Sequence, residues 1–286
     1  MHTIQTPFPV SPDPKFSLNF VGSCHGLLCL APGLEHNLGK DVYIWNLIIR
    51  KYKKLPLSRY SDMFLDEKLM LFRLWFGFHE PTNDYKVVRL IYFIKNGYLG
   101  SVDVAPLVEV YSLRSDSWKI VRNDVPLLVS QNVVAFHKGV FYWRGFKGIL
   151  IRPCMMSFNL DDEMFSEIEQ PLLDSPCSLL AVKGSSDSVF SVYSKLYGGH
   201  NGVLELWKMG ENGRGWMKAY TIECNRGVGW TIGFTRSNKF LYVTLEERLI
   251  SFDLESLKTE FHDVEIPFNR FAIDVNYMES LLLFDH

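Results

Sequence analysis

Residues 42–56 read VYIWNLIIRKYKKLP. Val42, Ile44 and Trp45 carry a β-rich apolar run, and after a turn a more polar strand holds Tyr52 and Leu55 until Pro56 closes it. The pattern predicts a hairpin, and it recurs. Residues 108–120 read VEVYSLRSDSWKI, residues 156–168 MSFNLDDEMFSEI and residues 204–217 LELWKMGENGRGWM; residues 249–260, LISFDLESLKTE, form a fifth and weaker copy. On one frame the lead aromatics are Trp45, Tyr111, Phe158, Trp207 and Phe252, spaced by 66, 47, 49 and 45 residues. A second aromatic follows at Tyr52, Trp118, Phe165 and Trp216, and in the fifth copy that slot holds Thr259.

Between these outer hairpins the sequence places more apolar inner ones. Residues 133–143 turn at His137-Lys138-Gly139, residues 179–192 around Lys183-Gly184-Ser185-Ser186-Asp187, and residues 231–243 around Arg236-Ser237-Asn238. Residues 16–30, joined at GSCHG, and residues 74–90, turning at 79–84, supply the first two. A sixth, residues 271–284, has no outer hairpin after it. A step in the forties with four-stranded content is the signature of stacked small sheets, each too small to bury both faces alone. The expected fold is therefore all-β, a β-propeller of about six four-stranded antiparallel blades with the last one incomplete. Residues 1–15, with Pro7, Pro9, Pro12 and Pro14, read as a proline-rich arm, and residues 16–286 as the propeller domain.

At 286 residues the chain is long enough for a large core, and its 21 Phe and 13 Tyr favour strands. A formal charge of −2 provides no global field to recruit nucleic acid or an anionic membrane. The five Cys are odd in number and form no CxxC pair, there is no Asn-x-Ser/Thr sequon, and no secretory leader is read, so an intracellular location, cytoplasmic or nuclear, is expected. No apolar run approaches the length of a bilayer span.

Gly22-Ser23-Cys24-His25-Gly26 has the spacing of a nucleophile elbow, but an elbow needs a helix behind it, and residues 27–30 are strand-like with Pro32 beyond. A tight turn is the expected reading. The eight His show no HxH or HxxxH spacing, Asp161-Asp162-Glu163 sits at a hairpin tip, and Arg50-Lys51-Lys53-Lys54 lies on an alternating strand where a solvated face is expected. No phosphate loop or dinucleotide fingerprint is present. Neither a cofactor nor a metal is expected.

The same blocks carry a family resemblance. Gly22-Ser23-Cys24-His25-Gly26-Leu27-Leu28-Cys29 resembles the "GSCNGLLCL" opening of the plant F-box-associated domains, and Trp45-Asn46 with residues 50–56 resembles their "WNPSTRKYKKLP" block. Gly77-Phe78 followed by Asp84-Tyr85-Lys86-Val87-Val88-Arg89, residues 108–118, residues 135–143 and residues 275–281 are similar to later blocks of that family in the same order. The resemblance implies a protein-binding substrate receptor of SCF-type ubiquitin ligases, related to kelch-like propellers, and not an enzyme. No leucine-rich F-box is read ahead of Phe16, so binding of a Skp-family adaptor is expected only if an F-box is supplied. Two alternatives stay open: a propeller that binds a sugar or another small ligand at its channel mouth, and a propeller enzyme with a channel active site.

Recognition in propellers sits in variable connections, here 57–70, 94–106, 144–153 and 194–202. Arg59, Tyr60, Tyr98, Arg144, Phe146, Tyr197 and His200 are the aromatic and cationic residues in them, the types that dominate interface hot spots. They are the candidate contacts to a protein substrate.

Overall fold

The computed structural model describes residues 18–32, 41–58, 70–93, 106–121, 128–147, 152–171, 178–184, 188–196, 202–211, 213 and 215–266. They form five sheets of four strands, each strand antiparallel to its neighbour and each sheet ordered as its strands follow in the chain. Blade 1 is β1 (Leu18–Cys24), β2 (Leu27–Pro32), β3 (Tyr43–Asn46) and β4 (Lys51–Lys54). Blade 2 is β5 (Met70–His79), β6 (Asp84–Phe93), β7 (Leu107–Ser112) and β8 (Ser117–Val121). In blade 3 come β9 (Leu128–His137), β10 (Val140–Lys147), β11 (Arg152–Asn159) and β12 (Phe165–Ile168). Blade 4 holds β13 (Ser178–Gly184), β14 (Val189–Leu196), β15 (Gly202–Met209) and β16 (Trp216–Cys224). Blade 5 holds β17 (Trp230–Phe234), β18 (Lys239–Val243), β19 (Arg248–Asp253) and β20 (Thr259–Glu265).

The count among the described residues is five blades, where the sequence suggested about six. Every outer hairpin has one inner partner, and the expected sixth came from residues 271–284, which lie outside the described residues. The proline-rich arm, residues 1–15, lies outside them too. Blades 1 and 2 belong to one compact unit and blades 3 to 5 to another.

The recurring aromatics are cross-strand pairs. Trp45 lies opposite Tyr52, Tyr111 opposite Trp118, Phe158 opposite Phe165 and Phe252 opposite Thr259. In blade 4 two extra residues and a bulge move Trp216 opposite Met209 and leave Trp207 opposite Lys218. The Tyr111–Trp118 rings lie 5.3 Å apart and the Phe158–Phe165 rings 4.6 Å, distances at which tilted aromatics attract. Burying each such ring contributes about 1.5–3 kcal/mol by area.

A polar residue follows the lead aromatic and caps the turn. Asn46 Oδ1 accepts from the amide of Ile48 (3.0 Å), Ser112 Oγ from Ser115 (3.1 Å), Asn159 Oδ1 from Asp161 (2.9 Å) and Asp253 Oδ1 from Glu255 (2.9 Å). A leucine comes next. The amides of Leu113, Leu160 and Leu254 donate to the carbonyls of Tyr85, Gly139 and Asn238, tying each outer turn to the inner hairpin beside it. Arg50, Asp116, Glu163 and Leu257 then take positive φ, at 54°, 48°, 56° and 57°, to start the fourth strand. The inner turns at His25-Gly26 and Lys138-Gly139 have positive φ at both residues, which suits the twist of a two-residue hairpin and explains a glycine at the second place. Gly22–Cys24 thus end β1 and His25-Gly26 make the expected tight turn into β2, which is not an elbow.

Stacking follows from burial. Leu27, Cys29, Val42, Ile44 and Leu55 of blade 1 share a core with Phe76, Val87 and Tyr111 of blade 2. Tyr142 and Met155 of blade 3 meet Tyr193, Trp207 and Met209 of blade 4. Leu204, Leu206 and Ile222 of blade 4 meet Phe234, Phe240, Ile250 and Phe252 of blade 5. In these three contacts the lead aromatic faces the preceding blade. Two of the contacts are also latched at the outer rim: Trp118 Nε1 donates to Pro56 O just beyond β4 (2.7 Å), and Trp216 Nε1 to Glu169 O just beyond β12 (2.6 Å).

Candidate protein-interaction surface

Each blade has two unlike ends. The turns β1–β2 and β3–β4, and their counterparts in the other blades, lie at one end, where the connections are short and held by the caps just described. The rings of His25 and Phe78, 4.6 Å apart, bring those ends of blades 1 and 2 together. The remaining links, β2–β3 and β4–β5 and their counterparts, leave from the opposite end. The longest stretches, 55–69 and 94–106, are among them.

Arg59, Tyr60, Tyr98, Tyr197 and His200 lie outside the described residues. In sequence they fall within the links β4–β5, β6–β7 and β14–β15. Arg144 and Phe146 are not loop residues. They sit in β10, opposite Met155 and Pro153 of β11, in a ladder unbroken from Val140–Asn159 to Lys147–Arg152. The expected connection 144–153 is therefore shorter, because pairing with β11 carries the strand through residue 147. Likewise residues 194–196 belong to β14, and Gly202 opens β15. Arg144, half-buried, stands near the end of β10 that leads into this second face of its blade.

The buried charges are committed to the architecture. Arg89 and Glu109, side chains 1% and 2% exposed, lie opposite each other on β6 and β7. Arg89 Nε donates to Glu109 Oε2 at 2.9 Å, and its guanidinium rests 4.0 Å from the centre of the Trp118 ring. Burial pulls the guanidinium down from its usual range and Glu109 opposes that pull. In blade 4, Glu205 accepts from Lys195 (2.8 Å), Trp207 Nε1 (3.1 Å) and Lys218 (3.2 Å). Burial pushes the Glu205 carboxyl up, but these three donors outweigh it and hold it below the usual carboxylate range. Glu109 and Glu205 each precede a lead aromatic by two residues, in VEVYS and LELWK, a repeat visible in the sequence that the motif reading passed over.

Two lysines of the basic cluster are tied down as well, while Arg50 and Lys51 are exposed. Lys53 Nζ reaches Asp116 of blade 2 (2.9 Å) and Lys54 Nζ reaches Asp41 just ahead of β3 in its own blade (2.9 Å). Burial pushes the Cys24 thiol up to about 12 and the Cys29 and Cys224 thiols upward too, the opposite of what a nucleophile needs. Among the described residues no three His, Cys, Asp or Glu side chains gather as a metal site would need, and no helix is long and apolar enough to cross a membrane.

Comparison with known proteins follows the same lines. A family model described as the F-box associated beta propeller domain matches residues 2–260. The chain belongs to that family. Members similar to it include an F-box protein of Arabidopsis thaliana, 30% identical over 240 residues, covering 73% of this chain and 54% of the relative. A second F-box protein of that plant is 29% identical over 67% of this chain and 48% of its own. This chain therefore spans about half the length of these relatives. Among solved structures, "Oligogalacturonate lyase in complex with manganese" superposes with a TM-score of 0.50 at 8% identity, covering 86% of this chain and 65% of that one; the likeness is one of fold. For the F-box associated family, the β-propeller with four-stranded antiparallel blades expected from the spacing is the fold found.

Proposed function

We propose that this chain is a substrate-recognition domain that binds a protein target for an SCF-type ubiquitin ligase, and that it performs no catalysis itself. The observation that carries the reading is the family match over residues 2–260, supported by relatives that are plant F-box proteins. The geometry agrees with a binding role. The Arg89–Glu109 pair and Glu205 are neutralised by neighbours within their own blades, and Arg144 and Phe146, the candidate contacts among the described residues, stand near the end of β10 opposite its capped turn. The role requires an intracellular setting, cytoplasmic or nuclear, in which the free thiols of Cys24, Cys29, Cys154 and Cys224 stay reduced. A Skp-family adaptor is recruited through an F-box, and the target through the propeller.

The test is reconstitution. An F-box is fused ahead of Met1, the fusion is assembled with a Skp-family adaptor and a cullin, and ubiquitin-remnant peptides from plant extract are quantified. Enrichment of a small set of proteins over an assembly carrying the F-box alone is expected. Equal remnant profiles for the two assemblies would refute the reading.

A further inference from the structure

The latch that closes the outer rim between blades 1 and 2, and again between blades 3 and 4, has no counterpart between blades 4 and 5 among the described residues. The slot opposite the lead aromatic holds Thr259, whose side chain is too short to span as the Trp118 and Trp216 indoles do. What lines that rim is apolar and open to solvent. Met217, on the side of β16 that faces blade 5, is 66% exposed, and Phe261, on the side of β20 that faces blade 4, is 64% exposed. Leu257, in the turn that leads into β20, is 61% exposed. These are the three most exposed large hydrophobic residues among those described, and Met217 and Phe261 lie on the facing sides of blades 4 and 5. β20 itself is exposed along its length, with only His262 half-covered.

Charge defines what fits there. Residues 245–265 carry seven carboxylates against two cations, whereas the whole chain has a formal charge of only −2. Arg226 and Lys239 come from neighbouring segments to pair with Glu246 and Glu260, and the balance stays negative. Arg226 also lies 5.7 Å from the Phe261 ring, steadying it at the rim. An apolar centre with a charged rim is the anatomy of a protein-binding patch.

We propose that the outer mouth of the groove between blades 4 and 5 docks a basic segment of a partner protein, whose bulky apolar side chain seats over Thr259 between Met217 and Phe261. This surface runs along the outer edge of blades 4 and 5, bordered at one end by the link 225–229 that supplies Arg226, and it stands on its own observations. The partner's lysines or arginines meet the acidic hairpin of β19 and β20.

The experiment uses the full chain and an array of short synthetic peptides pairing apolar residues with Lys and Arg, alongside acidic peptides of the same apolar content. Basic members should bind, read by fluorescence anisotropy. Thr259→Trp, which supplies the missing indole, Phe261→Asp and the exposed Met217→Asp should each weaken that binding by about tenfold or more. Circular dichroism checks that each variant keeps its fold. Equal binding of acidic peptides, or affinity that survives all three substitutions, would overturn the proposal. So would a dimer in sedimentation that Phe261→Asp abolishes, since the occupant would then be a second copy of this chain.

Discussion

Removing Arg89 should be among the most damaging single changes in blades 1 and 2. Arg89→Met leaves the Glu109 carboxylate, 2% exposed on β7, with its guanidinium partner gone and little room for water. Breaking a buried pair from one side costs about 3–5 kcal/mol, because the remaining charge stays desolvated. The cation–π contact with Trp118 at 4.0 Å goes as well, worth about 0.5–2 kcal/mol. Against a typical total stability of about 5–15 kcal/mol, that loss takes a large fraction of what holds the unit together. The pair as such is worth less than the damage suggests. Replacing both partners, Arg89→Met with Glu109→Leu, removes the desolvation of both ions and should recover most of the loss. Urea unfolding of wild type, the two single variants and the double variant, followed by tryptophan fluorescence, gives the coupling energy directly. If the single changes cost less than about 1 kcal/mol, or the double costs their sum, the pair is not the sealed and mutually dependent unit described here.

Other outcomes follow from the repeated hairpin. Trp118→Phe keeps the ring but deletes the donor to Pro56 O, and should cost about 0.5–1.5 kcal/mol in urea unfolding; an unchanged midpoint would remove the latch from the account. Leu257→Gly relieves a left-handed backbone at φ 57° on an exposed side chain, and should raise the thermal midpoint by the equivalent of up to about 1 kcal/mol, where a lower midpoint would show that the turn depends on the leucine. Burial pushes the Asp116 carboxyl up, but hydrogen bonds from Lys53 and Tyr111 outweigh it and leave it below the usual range. Its contribution is therefore present above the unfolded value of about 3.9 and lost as pH falls through the lower folded value. Lys53→Met should shift acid unfolding to higher pH, and superimposable acid transitions would contradict the sign.

The aromatic frame was legible because it is a register. Trp45 and Tyr52, or Tyr111 and Trp118, sit opposite each other across a turn of nearly fixed length, so their spacing in sequence states a distance in space. Turn chemistry was legible at Gly26 and Gly139 for a similarly local reason. What escaped was non-local. Arg89 and Glu109 are 20 residues apart, and nothing in either neighbourhood says that one answers the other. The segment 144–153 is expected as a variable connection, yet pairing with β11 carries β10 through residue 147. The count of about six rests on an apolar hairpin at residues 271–284, which lie outside the described residues; those described form five blades. The meaning of Thr259 became plain only beside the two indoles that fill the same slot elsewhere.

The central claim is that the propeller recognises a protein through the blade ends that carry its long links. Hydrogen–deuterium exchange of the chain with and without the target identified by reconstitution tests it most directly. The account predicts slowed exchange at residues 144–147 and in the links 55–58 and 225–229, with the turns at His25-Gly26, Lys138-Gly139 and 235–238 unchanged. Protection confined to those capped turns, with the long-link ends exchanging as in the free chain, would contradict it.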